Sequence, residues 1–306
     1  MNDLNIITEN INKRNFDVAL KNCDDLENTK NAFIINNFRG VIFFLEEKLD
    51  LAEEKFLISH SLDSKFEDPI KNLYMIYLKK NNHQNVLEYA KKLVQINYLS
   101  ELYNYQLAYA YELNSDNEQA INHYEKCLKE NSKIKGKALN NIGGIYLRNN
   151  KPKTSLKYFM TANDIIKGDK IIINNIFLNY VRLKDILSAE KYYSICEKID
   201  NNYIEFLYNK AQYLILKEEF NQAIDILLKY KNNLKFLIIL VELYFNMGKE
   251  NEAKSLLKNK ENEIKNNSIF FNFLGMRSLR EGNFDDGWKY YENRGSKITN
   301  TSSYIK

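Results

Sequence analysis

One spacing constrains this chain more than any other. A small or close-packing position recurs at Gly40, Tyr74, Ala108, Gly143, Phe177, Ala211, Val241 and Gly275, in steps of 34, 34, 35, 34, 34, 30 and 34 residues. Twelve residues after each stands a second position: Ala52, Val86, Ala120, Ser155, Ala189, Ala223, Ala253 and Gly287, with Ala19 opening that series. Large residues follow at helical spacing. Three after the first position come Phe43, Tyr77, Tyr111, Tyr146, Tyr180, Leu214, Tyr244 and Ser278. Four after the second come Phe56, Ala90, Tyr124, Phe159, Tyr193, Leu227, Leu257 and Tyr291. A fixed period of this length means one supersecondary unit copied along the chain.

The unit is legible in Ser100–Ser132. Leu107, Ala108 and Tyr111 share one face of a first helix, and Ala120, Tyr124, Cys127 and Leu128 share one face of a second, with a turn at Asn114–Asn117. Ala108 and Ala120 let the two helices approach closely. So small a unit leaves apolar surface uncovered and needs neighbouring copies to shelter it. Two prolines and ten glycines in 306 residues suit helices joined by short turns.

These offsets resemble the tetratricopeptide repeat over essentially the whole chain. The resemblance implies an all-α fold: an α-solenoid of about nine helix-turn-helix repeats in a right-handed superhelix. The expected copies lie near 1–32, 33–66, 67–100, 101–135, 136–169, 170–203, 204–233, 234–267 and 268–294, followed by a loose polar tail at 295–306. There are departures. The usual tryptophan early in the first helix is replaced by residues such as Asn36, Asn104 and Phe271, and the closing proline is nearly absent. Asn, Asp and Lys fill the connections, and Asn and Asp can cap helices instead. Tyr74 and Phe177 occupy a slot that prefers a small residue, which predicts local widening, compensated at Tyr74 by Ala90. The first copy has Ile7 and Asn10 where small and aromatic residues belong. The sixth step is four residues short near Lys229–Leu234, about one helical turn, and predicts a change in stacking angle.

Composition excludes several classes. The net charge of +4 from 44 basic and 40 acidic side chains describes a mixed-charge surface with no basic stripe for nucleic acid. Three isolated cysteines, Cys23, Cys127 and Cys196, suit a reducing compartment rather than disulfides or a metal. Met1–Phe16 is polar, not a secretory signal. The apolar run Phe236–Phe245 contains Glu242 and is too short to span a membrane. A cytoplasmic location is expected. No glycine loop for a nucleotide exists, because Gly143-Gly144 falls mid-helix. His60, His83 and His123 lack ligand spacing and read as surface residues, and the acid pairs read as solvated. No catalytic residue, metal or cofactor is expected.

One series points to binding. Two residues before the first marker stand Asn72, Gln106, Asn141, Asn175 and Asn209, a primary amide in five consecutive copies. The resemblance implies that this slot faces the inner wall of the superhelix. An amide offers both a donor and an acceptor, so a column of them can pair with the backbone of an extended peptide. Repeat regions of O-linked N-acetylglucosamine transferases use such a ladder. Flanking candidates are Tyr105, Tyr109, Asn140, Asn174, Tyr208 and Gln212. Asparagine is about one residue in seven here, well above ordinary usage, so a packing role for the column stays open, as does ordinary packing for the tyrosines. A carboxylate clamp built on Lys71 and Lys137 is interrupted by Met75, Tyr105 and Leu178.

Two functions follow as expectations. The first is a non-catalytic scaffold binding a peptide or protein segment in the concave groove. The second comes from Leu279–Arg294, whose Gly282, Phe284, Gly287, Trp288, Tyr291 and Arg294 resemble the last repeat before the catalytic domain of bacterial repeat-containing glycosyltransferases. That resemblance implies the acceptor-recognition part of such a system, working with a separate catalytic subunit, since only twelve residues follow Arg294. The periodicity itself generates a test. Ala120→Leu should destabilise by about 1–3 kcal/mol through overpacking at the helix approach, read from urea unfolding. A change near zero would misplace that approach.

Overall fold

The structure, a computed structural model, describes residues 2–26, 29, 31–129, 132–258, 268–280 and 282–293. Among the described residues every regular element is a helix. Among the described residues, eighteen helices pair into nine hairpins. They are α1 (Asn2–Asn12) with α2 (Phe16–Asp25), α3 (Ala32–Leu45) with α4 (Leu49–Leu62), and α5 (Glu67–Lys79) with α6 (His83–Ile96). Next come α7 (Glu101–Leu113) with α8 (Asn117–Lys126), α9 (Lys133–Arg148) with α10 (Pro152–Ile165), and α11 (Lys170–Leu183) with α12 (Ile186–Asp200). The last three are α13 (Ile204–Leu216) with α14 (Phe220–Lys229), α15 (Leu234–Asn246) with α16 (Glu250–Lys258), and α17 (Ser268–Arg280) with α18 (Phe284–Asn293). This is the α-solenoid class of architecture. The chain forms two compact units, residues 1–138 and 139–306, with the boundary inside α9.

Every hairpin turns in the same way. Seven residues after each first marker the backbone takes positive φ: Arg14, Glu47, Asn81, Ser115, Asn150, Lys184, Glu218, Gly248 and Gly282, from +53° to +79°. The next amide then reaches back to the carbonyl five residues earlier, at 2.8–3.1 Å in all nine hairpins. Asn82 N–H to Tyr77 O and Lys249 N–H to Tyr244 O, both 2.9 Å, are two cases. The positive-φ residue itself donates to the carbonyl three back, as Gly248 does to Phe245 at 3.0 Å. This left-handed closure satisfies the last carbonyls of the first helix and aims the second back along it. The accepting carbonyl belongs to the slot that holds Phe43, Tyr77 or Tyr111. Asn82, Asp116 and Asp185 then cap the second helices by accepting from Asn85, Gln119 and Ser188 N–H at 3.1–3.2 Å.

In several hairpins the helices meet where one partner is small. A Cβ on Gly40 would lie 2.5 Å from the Phe56 ring, and one on Gly143 would lie 2.7 Å from Phe159. At Tyr74 the sizes are exchanged: Tyr74 is buried and its opposite number is the fully buried Ala90. Phe177 is instead absorbed into an aromatic cluster, with Tyr193, Phe206 and Tyr213 rings 5.5–6.1 Å away. The first copy is better built than its sequence suggests. Ile7 fills the marker slot fully buried, beside Ala19 and Cys23. The short step falls where α14, of 10 residues, ends at Lys229 and α15 begins at Leu234; α8, in a full-length copy, also has 10 residues, so helix length alone does not set the step. Helix α8 ends at Lys126, one residue before Cys127, which is nonetheless fully buried. Arg294, the tail 295–306 and the side chains of Phe273 and Tyr291 lie outside the described residues.

The turn geometry sets the next test. A non-glycine residue held in the left-handed region costs about 1–2 kcal/mol, and glycine returns part of that gain as unfolded-state entropy. Glu218→Gly is therefore expected to stabilise by about 1 kcal/mol, and Gly248→Ala to destabilise by a similar amount. Thermal melts of the two variants check both signs.

Candidate functional site

The amide slot lies on the first helices, and the structure shows where those amides go. Asn72 Nδ2 donates to Asn37 Oδ1 at 2.9 Å. Asn175 Nδ2 donates to Asn140 Oδ1 at 2.9 Å, and Asn209 Nδ2 to Asn174 Oδ1 at 3.1 Å. Each bond spans 35 residues, one repeat plus one. The side chain two before a marker thus reaches the one three before the marker of the preceding hairpin. Two longer contacts extend these pairs, Asn140 Nδ2 to Asn141 Oδ1 and Gln212 Nε2 to Asn209 Oδ1, both 3.5 Å. In residues 139–306 this gives two chains of amides, one through Asn175, Asn140 and Asn141, the other through Gln212, Asn209 and Asn174.

Burial separates the members. Asn174 and Asn209 are each 3% exposed, so their bond is an internal cross-link between α11 and α13. Asn72, Gln106, Asn140, Asn141, Asn175 and Gln212 are half-buried. The Oε1 atom of Gln106 is buried with no hydrogen-bond partner among the described residues. The tyrosines divide as well. Tyr105 packs against Tyr124 at 5.5 Å. Tyr208 stands edge-on to Phe236 at 5.5 Å, and burial raises its hydroxyl pKa. Tyr109 is half-buried on the same helix face as Tyr105, and the Tyr74 hydroxyl donates to the Gln106 carbonyl at 3.4 Å. Met75 and Leu102, both nearly half exposed, add apolar surface near this row. Asn37 was the member that sequence inspection missed. Its signal is the 35-residue offset to Asn72, visible only when two different slots are compared. Lys71, one half of the clamp considered above, is held by Glu67 at 2.7 Å and Asp68 at 3.3 Å on its own helix.

The remaining polar groups serve joints. Glu53 accepts from the Tyr77 hydroxyl at 2.7 Å and pairs with Lys80. Glu190 accepts from the Tyr213 hydroxyl and lies 3.7 Å from Lys217. The same Glu–Tyr–Lys joint therefore ties a second helix to the next first helix in both units. His60 and His123, expected at the surface, are half-buried. His123 Nδ1 lies 3.0 Å from Asn104 Oδ1 and its ring stacks on Tyr111 at 5.6 Å. Burial lowers its pKa, with Lys126 adding to the effect, and burial and Lys92 do the same for His60. Burial pushes the thiols up, Cys23 to about 11 and Cys127 and Cys196 to about 12, so they are protonated and poor nucleophiles. Among the described residues no group of three or more His, Cys, Asp or Glu could hold a metal ion, and no helix is long and apolar enough to cross a membrane.

Comparisons agree with this architecture. Residues 103–134 match the tetratricopeptide repeat family. A tetratricopeptide repeat protein from Parabacteroides merdae superposes with a TM-score of 0.62 at 14% identity, over 84% of this chain and 96% of that one. The C-terminal part of a repeat protein from Cytophaga hutchinsonii gives 0.57 at 16% identity, over 73% and 93%. Pseudomonas aeruginosa pilF gives 0.56 at 12% identity, over 67% and 95%. By sequence, no curated protein matches the chain. At these identities the likeness is one of fold.

The buried amide pair yields a stability test. Asn209→Ala leaves the Asn174 carbonyl buried without its donor and should cost about 1–3 kcal/mol. Asn72→Ala, in a pair where Asn72 is half-buried and only Asn37 is buried, at 6% exposed, should cost less, about 1 kcal/mol. Urea midpoints at constant m-value distinguish them, and equal costs would contradict the burial difference.

Proposed function

We propose that the chain is an array of tetratricopeptide repeats, as its period, its repeated hairpins and the match at residues 103–134 support, and that it is a non-catalytic interaction scaffold that holds an extended peptide against its first-helix wall. The observation that carries this is the regular amide row. A primary amide offers two N–H donors and two acceptor lone pairs, and the bonds between neighbouring amides use only part of that capacity at the half-buried positions. Asn175 and Gln212 in residues 139–306, and Asn72 and Gln106 in residues 1–138, keep donor or acceptor capacity for a ligand, and Asn141 stands in the same row with contacts of its own. Adjacent packed helices sit about 8–10 Å apart, about three residues of extended chain at 3.3 Å each. Successive amides would thus meet every third residue of a bound strand, a spacing that favours backbone recognition over side-chain readout. Asn209 and Asn174 set the register of the wall from beneath. Tyr105 and Tyr109 supply flat contact area with polar tips.

The scaffold reading needs no reactive group, and the carboxylates, histidines and thiols described above are committed to packing and joints. The isolated buried thiols fit a reducing compartment such as the cytoplasm. The second reading, acceptor recognition for a separate glycosyltransferase subunit, gains no independent support from the last hairpin. Gly282 takes the turn conformation common to all nine hairpins, and a Cβ on Gly287 would lie 2.7 Å from Leu279. Hairpin geometry alone accounts for both glycines of that motif.

The test is the double variant Asn141→Ala/Asn175→Ala, compared with wild type for captured partners and for affinity toward the strongest of them. Two lost amide bonds at about 0.5–1.5 kcal/mol each predict a weakening of about 5- to 150-fold, with the thermal midpoint showing that the array stays folded. Unchanged partners and affinities in a folded double variant would remove the amide row from recognition.

A further inference from the structure

The small net charge hides one hairpin. Residues 131–163 contain seven basic side chains, Lys133, Lys135, Lys137, Arg148, Lys151, Lys153 and Lys157, and no Asp or Glu. The whole chain carries +4, so everything outside this stretch sums to −3.

Arg148 makes contacts of its own, but the lysines of this stretch are not compensated locally by the described residues. Between Lys71 and Lys92 every lysine has an ion pair or lies over an aromatic ring. From Lys126 to Lys167 no described lysine has an ion pair or a ring contact with another described residue. The part of the run in residues 139–306 is concentrated at one end of the hairpin. Lys151, Lys153 and Lys157 are exposed on the turn and first turns of α10, and Lys153 and Lys157, four residues apart, share a face. The second helix α12, by contrast, spends Glu190 on Tyr213 and Lys217, whereas α10 has Leu156 at the matching position.

We propose that Lys151, Lys153 and Lys157 form a docking face for a short acidic segment of a partner protein. It lies on the turn and second helix, so it does not depend on the amide wall. Charge complementarity selects the partner. Three ammonium groups within two turns of helix span about 10 Å, matching three or four residues of an extended acidic run. A nucleic-acid surface calls for more phosphate contacts along a continuous stripe, and the following hairpin, residues 167–200, mixes five acids with six bases.

The experiment uses fluorescence anisotropy of the full chain with labelled hexaglutamate and, separately, labelled dodecathymidylate. The variant K151E/K153E/K157E places two acids at the start of α10, where the helix dipole favours them, and the third at an exposed position of the second turn, so folding is expected to hold. The control K198E/K231E/K258E reverses three other exposed lysines of the same unit that have no ion pair with a described residue. Hexaglutamate should bind wild type, weaken at least about tenfold in the first variant and less than about twofold in the control, and weaken as salt rises. Equal losses in both variants, or no hexaglutamate binding to wild type, would overturn the proposal. Tighter binding of dodecathymidylate than of hexaglutamate would overturn the partner chemistry.

Discussion

Two helices in each hairpin come together only where the sum of two side chains is right. Gly40 faces Phe56, Gly143 faces Phe159, and Tyr74 faces Ala90: what one helix lacks the other supplies. The constraint is on the pair, not on either position. Dense interiors penalise an added methylene as they penalise a void, so a large residue at the small slot survives only with a small residue opposite. Phe177 and Tyr193 break this rule together, and the excess ring volume is taken up by Phe206 and Tyr213 of the next hairpin. Burial is thus shared between consecutive hairpins, as nearest-neighbour coupling in a repeat array requires.

Polar groups follow the same logic. A second helix holds the next first helix through Glu53 or Glu190, each taking a tyrosine hydroxyl and approached by a lysine ammonium. First helix holds first helix through amide pairs offset by 35 residues. An unmade bond at a buried amide costs about 1–3 kcal/mol, more than a made one contributes. The buried Asn174–Asn209 pair therefore acts mainly against wrong registers, since any slip leaves both members unpartnered. Under the proposed function, stability and recognition would be two layers of one amide row: buried members fix the spacing that half-buried members would offer to a ligand.

The period, the helical class and the hairpin count were legible because they depend on apolar spacing, which the chain repeats from Gly40 to Gly275. The turn was only half legible. Gly248 and Gly282 advertise positive φ, and Asn81 and Asn150 tolerate it, but Glu47, Lys184 and Glu218 adopt it too, because the closing hydrogen bonds and helix packing impose it. The amide row was visible as a column of identical side chains, yet its pairing was not. Sequence alignment compares each slot with itself, whereas these bonds join different slots of successive copies. His123 was misread for the same reason: its partners Asn104 and Tyr111 lie on the other helix of its hairpin. The basic hairpin escaped because a chain-wide charge averages over a feature 33 residues long.

Asn179 shows how an array of this kind tolerates a local fault. The slot two residues after the marker holds Ile76, Ala110, Ile145, Tyr213 and Leu243, all buried. In α11 it holds Asn179, fully buried, with neither amide atom hydrogen-bonded to any described residue. In a single-core domain such a group would subtract about 1–3 kcal/mol from a margin of about 5–15 kcal/mol. Here the same helix also carries Phe177, whose ring meets three aromatic neighbours, and Asn174, tied to the next hairpin by its carbonyl. The helix with the orphaned amide is thus also among those most strongly coupled to the following repeat. In a chain stabilised by neighbours, that coupling lets a locally unfavourable residue persist, because opening this hairpin would also break the aromatic cluster and the amide bond that reach into α13.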